Sequence, residues 1–85
     1  MKEITLFYRS DCPYCHQAFQ MIDELREEHP ELAAVPIRRI EERREAALAD
    51  QYDYWYVPSL FLGDQKLHEG VPTRDKIEQA LRAAL

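Results

Sequence analysis

Apolar residues in this chain recur at two spacings, and the spacing changes at prolines, glycines and charged clusters. Ile4-Thr5-Leu6-Phe7-Tyr8 is apolar and rich in β-formers, and it reads as a first strand. From Pro13 to about Glu28 the period lengthens. Ala18, Met21, Ile22 and Leu25 follow i, i+3, i+4, i+7, and Phe19 widens the stripe, so an amphipathic helix is expected there. His29-Pro30 ends it. Val35–Ile40 reads as a second strand, with Val35, Ile37 and Arg39 alternating with Pro36 and Arg38. Glu41 to about Gln51 sets three alanines and a leucine among charges, which favours a second helix by propensity. Ser59–Leu62 is a short apolar strand, Gly63-Asp64 a turn, and Lys66–Glu69 its hairpin partner. Thr73 caps a last helix whose buried stripe is Ile77, Ala80, Leu81 and Ala84. Asp75 in its first turn and Arg82 near its end both suit the helix dipole.

The order β-α-β-α-β-β-α suits a β-α-β unit followed by a β-β-α unit. Together they would form an α/β fold with one four-stranded mixed sheet flanked by helices. The right-handed crossover rule makes the first two strands parallel, and the hairpin supplies the antiparallel half. The natural site in such a sheet lies beyond the C-terminal end of the first strand, at the start of the first helix. At 85 residues the chain is read as one domain over residues 1–85, and 46% apolar content is enough for a single core. A formal net charge of -5 argues against nucleic acid as a partner. No apolar run approaches the length of a membrane span. Met1-Lys2-Glu3 leads straight into a strand rather than a signal sequence, so a cytoplasmic location is expected, and for a fold this small a monomer is the default.

Chemistry concentrates at the expected site, where Cys12-Pro13-Tyr14-Cys15 follows the first strand and opens the first helix. Two cysteines at this spacing can close a disulfide and reopen it. The N–H groups at a helix start lack intrahelical partners, and their partial positive charge favours a thiolate, the species that attacks disulfides. Pro13 falls at the first helical position, where its missing N–H costs nothing. In a reducing compartment two cysteines are more apt to cycle than to staple. Cys12, Cys15 and His16 also spell the c-type haem attachment pattern, but that reading needs export and a distal ligand, and Met21 lies on the helix stripe. A closed zinc site would have only His16, His29 and His68 to complete it, without a second cysteine pair. A metal or cluster held across a dimer by one cysteine from each copy stays open. The bland alternative is two small apolar residues packed in a core. Redox chemistry is the favoured reading.

Tyr8-Arg9-Ser10-Asp11-Cys12-Pro13-Tyr14-Cys15, with Val57-Pro58 about forty residues later, resembles a glutaredoxin of the thioredoxin superfamily. The resemblance covers nearly the whole chain in segment order. It implies a thioredoxin fold with Cys12 as exposed nucleophile and Cys15 as resolving thiol. It also implies a cis peptide before Pro58, with Val57 offering backbone N–H and C=O to the incoming thiol compound. From the residues alone, Pro58 reads either as a cis bond in a tight turn or as a trans proline starting a strand. Tyr14 is expected as a solvent-facing platform for a partner.

Glutathione is the co-substrate such a resemblance implies, and Arg9 matches the family's basic residue that pairs with the glycyl carboxylate. No bound cofactor and no metal are expected. Three features depart from the pattern. Asp11 beside Cys12 disfavours a thiolate. Glu69 puts a carboxylate near where the tripeptide's own would sit. The usual Gly-Gly turn is missing, and a lone Gly70 resembles instead the thioredoxins and the glutaredoxin-like proteins reduced by thioredoxin reductase, in which it lets a protein partner approach the backbone. The segment Tyr52-Asp53-Tyr54-Trp55-Tyr56 holds more aromatics than a small core needs. Tyr52 and Tyr56 are assigned to the core, Tyr54 or Trp55 to an exposed docking surface, and His16 and His68 to the surface, His16 near enough to tune the thiols. Three readings follow. One is a dithiol electron donor to disulfide-containing proteins, recharged by a reductase or by glutathione. The others are a glutathione-dependent enzyme that works through Cys12 alone and a protein that holds a metal or cluster across a dimer.

Overall fold

Strand β1 (Ile4–Tyr8) lies inside the sheet, and its alternating side chains divide the core in two. Ile4 and Leu6 are fully buried on one face, and Phe7 is fully buried on the other. The structure is a computed structural model that describes all 85 residues. After β1 come α1 (Pro13–Glu28), α2 (Pro30–Ala33), β2 (Ile37–Glu41), α3 (Ala46–Ala49), β3 (Ser59–Leu62), β4 (Gln65–Glu69) and α4 (Arg74–Arg82). The sheet runs β2-β1-β3-β4, with β1 parallel to β2 and antiparallel to β3, and β3 antiparallel to β4. This is the thioredoxin fold, a four-stranded mixed sheet flanked by helices.

The Ile4 and Leu6 face packs against α1 and α4 through Ala18, Ile22, Leu25, Ile77 and Leu81. The Phe7 face is covered by Ala49 of α3 and by Tyr52 and Tyr54, around Ile40 and Phe61. β1, α1, β3 and α4 stand where hydrophobic periodicity puts them. Residues 35–51 differ. β2 begins at Ile37 rather than Val35, because Pro36 has no N–H to give a ladder; its carbonyl instead accepts the Ile4 N–H at 2.9 Å. The strand runs on through Glu41, paired in register with Tyr8. The expected helix from Glu41 is one turn, Ala46–Ala49, since Glu41 is strand and its carbonyl accepts the N–H groups of Arg44 and Glu45 in the turn that follows.

Two further details depart from the periodicity. The first helix ends at His29, in extended backbone before Pro30. The chain then makes one more helical turn, α2, which seats Leu32 in the core. His68, expected at the surface, is buried on β4 opposite Leu60, with Nε2 2.9 Å from the Gly70 carbonyl oxygen. Burial pushes its pKa down, partly offset by that hydrogen bond.

Candidate active site

Past Tyr8 the chain leaves the sheet and turns through Arg9-Ser10-Asp11, closed by the Cys12 N–H donating to the Arg9 carbonyl at 3.1 Å. Cys12 is the N-cap of α1. Its backbone is extended, and its Sγ accepts the Cys15 N–H at 3.2 Å, in the place a serine or aspartate oxygen would take. Pro13 occupies the first helical position. Cys12 is half-exposed, whereas Cys15, one turn along, has no accessible surface. Burial, reinforced by the hydrogen bond to Cys12, pushes the Cys15 thiol from 9.0 up to about 12. The two sulfurs are therefore unequal. One is reachable and has an N–H aimed at it; the other is hidden and held as a thiol.

The loop before Cys12 rests on a carboxylate that the sequence reading did not single out. Glu41, at the end of β2 and almost fully buried, accepts the Ser10 N–H at 2.9 Å, the Arg43 N–H at 2.7 Å and the Arg43 guanidinium at 3.0 Å. These bonds hold its pKa down at about 2, the Ser10 N–H being the largest cause. Arg43 also donates to Ser10 Oγ at 3.0 Å and lies 3.3 Å from Asp11. The one signal in the sequence was a glutamate directly after apolar Ile40 at a strand end. Asp11 does not face Cys12 as an unpaired charge: besides Arg43 it has Arg9 at 3.6 Å.

Opposite Cys12 lies the segment before β3. The Val57-Pro58 peptide is cis, and the Val57 carbonyl oxygen stands 4.0 Å from Cys12 Sγ. Pro58 is buried, and its own carbonyl accepts the Gly70 N–H at 2.9 Å. Gly70 has φ +84°, a conformation that L side chains rarely adopt, so this turn requires glycine. A cleft of about 390 Å³ opens here, lined by Tyr14, Tyr56, Val57, Glu69, Gly70 and Val71. Cys12, Cys15, Tyr14, Val57, Pro58 and Gly70 are thus gathered at one end of the sheet. Arg9 is not part of the cleft wall; its guanidinium is directed to Asp11 and, at 3.8 Å, to Glu42.

The aromatic segment sorts differently from expectation. Tyr52 and Tyr54 pack on Phe7, with ring centroids 4.7 and 5.0 Å away, and Tyr54 donates its hydroxyl hydrogen to Glu42 at 2.6 Å. Tyr56, assigned to the core, is 71% exposed, and Trp55 is 85% exposed. The cause is Glu69. Its Oε2 accepts the N–H of Trp55 and, at 2.9 Å, that of Tyr56, which fixes the backbone with both rings turned outward. Its Oε1 takes Lys66 Nζ at 2.8 Å. These donors, Lys66 foremost, hold the Glu69 carboxyl at about 2. His16 is exposed, with Nε2 2.8 Å from the Ser10 carbonyl oxygen. Nowhere do three or more His, Cys, Asp or Glu side chains converge as a metal site would require.

An unequal pair of thiols at a helix start, facing a cis-proline peptide across the end of this sheet, defines a thioredoxin-superfamily protein of the thiol–disulfide oxidoreductase kind. The chain belongs to the thioredoxin-domain family, whose model matches residues 2–82. It is 25% identical over 83 residues to a thioredoxin of Methanocaldococcus jannaschii, covering 98% of this chain and 95% of the relative. Two solved structures are similar in fold. A malarial protein superposes with a TM-score of 0.70 at 13% identity, over 98% of this chain and 96% of its own. The zinc-bound form of human ERp44 superposes with a TM-score of 0.59 at 20% identity, over 95% of this chain but only 25% of that longer protein.

Proposed function

We propose that this protein is a dithiol electron donor that reduces disulfides in other proteins by cycling Cys12 and Cys15. The observation that carries the reading is the inequality of the two sulfurs, half-exposed Cys12 against wholly buried Cys15. The Cys12 thiolate attacks one sulfur of the substrate disulfide. A Cys12–substrate bond forms, the substrate S–S bond breaks, and the leaving sulfur takes a proton. Cys15 then gives up its proton and attacks Cys12 Sγ. The Cys12–Cys15 disulfide forms, the second substrate thiol leaves, and two electrons have passed to the substrate. Tyr14, Trp55, Tyr56 and Val71 stand exposed and give a protein partner apolar contact area. Val57 offers its backbone to the incoming chain.

A reductase of the thioredoxin-reductase class recharges the oxidised pair on this reading. Its support is the similarity to a thioredoxin, and the placement of Arg9 on Glu42 and Asp11 rather than in the cleft. The Cys-Pro-Tyr-Cys tetrad, which resembles that of glutaredoxins, favours a second reading in which glutathione is the reductant and Cys12 suffices. Cys15→Ser separates the two. Dithiol cycling predicts at least a hundredfold loss of protein-disulfide reduction, roughly the loss of one whole step. Retention of most activity with glutathione as sole reductant would establish the monothiol route instead. Cys12→Ser is expected to be inactive in both assays.

A further inference from the structure

Three donors converge on one carboxylate in the wall of the cleft beside Cys12: the N–H groups of Trp55 and Tyr56 on Glu69 Oε2, and Lys66 Nζ on Oε1. Two successive backbone N–H groups with an ammonium beside them are the equipment of an anion site. Here the chain fills it with its own side chain. Glu69 also lines the cleft with Tyr14, Val57 and Gly70, and Val57 is the residue whose carbonyl faces Cys12 Sγ. A carboxylate arriving on a thiol or disulfide partner would find these donors taken and a like charge in their place.

We propose that Glu69 is a specificity-determining residue that acts as a built-in ligand, closing this anion site so that Cys12 discriminates against partners bearing a carboxylate next to the reacting sulfur. The partner class favoured is a neutral or cationic disulfide-bearing segment. The proposal rests on the thiol chemistry of Cys12 given above, though not on its cycling with Cys15. It also makes a signed prediction about two residues. Removing the Glu69 charge leaves Lys66 uncompensated and opens the cleft to anions. Removing Lys66 leaves Glu69 uncompensated and closes it further. A merely structural role for Glu69 would alter reaction with charged and neutral reagents alike.

The test alkylates the reduced full-length protein at Cys12 with iodoacetate and with iodoacetamide, which differ in charge but little in size. The ratio of the two rate constants is compared among wild type, Glu69→Gln, Glu69→Ala and Lys66→Met. Glu69→Gln keeps an acceptor for the two N–H groups and is the variant least disturbed in fold. Both Glu69 variants are expected to raise the iodoacetate ratio about two- to fivefold at low salt, with the gain shrinking in 1 M salt, as the loss of one partly screened unit charge from the cleft wall would produce. Lys66→Met is expected to lower it. Glu3→Gln, at the opposite end of β1, makes the same change in net charge and should leave the ratio unmoved. A ratio unchanged in both Glu69 variants, or moved equally by Glu3→Gln, overturns the proposal. A parallel single-turnover series with dithiodipropionate, hydroxyethyl disulfide and cystamine reports on disulfides. If wild type fails in the protein-disulfide assay above, the proposed electron-donor function falls, while the alkylation ratio still decides the role of Glu69.

Discussion

Cys15 is one turn into α1, where Ala18 and Ile22 follow it into the core, and that position fixes its chemistry. Desolvation is the main reason its thiol stands near 12 rather than 9.0, and desolvation persists when Cys12 is tied up in a mixed disulfide. The hydrogen bond and charge of Cys12 are lost in that state, so the shift shrinks without vanishing. Only the deprotonated fraction of Cys15 can attack, and around neutrality that fraction grows in proportion to hydroxide. Collapse of a Cys12 mixed disulfide is therefore expected to accelerate about tenfold per pH unit between roughly pH 6 and 9. Stopped-flow release of the second chromogenic thiol, after the reduced protein has reacted at Cys12 with an aromatic disulfide, measures it. A rate independent of pH across that range would mean that Cys15 is already ionised there, against the burial seen. Cys12 needs no such assistance to be reached. It sits at the surface with the Cys15 N–H on its sulfur, and the Glu41–Ser10 bond holds the turn that presents it.

Elements that depend on local pattern were legible in the chain before any fold was known. β1, α1, β3 and α4 each carry a periodic apolar stripe with a proline, turn or cap at the boundary, so their positions follow from nearest neighbours alone. Thr73 shows how local such information can be. Its hydroxyl oxygen accepts the Lys76 N–H at 3.2 Å and starts the nine-residue helix α4. Thr73→Ala is expected to cost about 1 kcal/mol, lowering the melting temperature by about 4–8 °C in a chain of this size, with thiol reactivity unchanged. A melting temperature within a degree of wild type would remove the cap from the account. β2 and α3 were poorly legible, because what defines them is far away in sequence. Glu41 is strand because it pairs with Tyr8 and because its carboxylate serves Ser10, thirty-one residues earlier. The site divides in the same way. The cysteine tetrad and Val57-Pro58 could be read from the chain. The exposure of Tyr56, the burial of His68 and the engagement of Arg9 with Glu42 depend on contacts of β4 with the segment before β3 and of the loop after β1 with the turn after β2, and periodicity carries no trace of them.

Across the whole molecule, the shifted ionisations set a window of stability with two different edges. On the acid side the loss begins with His68, whose ordinary value of 6.5 lies above the 4.5 of the carboxylates. Its folded pKa lies below 6.5, so the stability it contributes is complete above 6.5 and is lost as the pH falls through the folded value. Glu41 and Glu69 follow. Each has a folded pKa of about 2 against an ordinary 4.5, so their contribution is present above 4.5 and disappears between 4.5 and about 2. On the alkaline side the sign reverses. The Cys15 pKa is raised, so the folded state keeps a proton that the unfolded chain gives up, and stability is lost as the pH climbs from 9.0 toward 12. Tyr54, pushed up by burial and by its bond to Glu42, adds to the same edge above its ordinary value of 10.0. The expected profile for the reduced protein is a plateau from about pH 7 to 9, a shallow acid shoulder and then a steep fall. Calorimetric melting temperatures across this range supply the curve, and two substitutions assign its parts. His68→Gln should flatten the shoulder below pH 6.5 and leave the steep fall in place. Cys15→Ala should soften the alkaline edge without touching the acid one. If His68→Gln leaves the shoulder as steep as before, the buried imidazole on β4 is not its source, and the carboxylates held low by their donors, Glu41, Glu69 and Glu78, account for the whole acid limb.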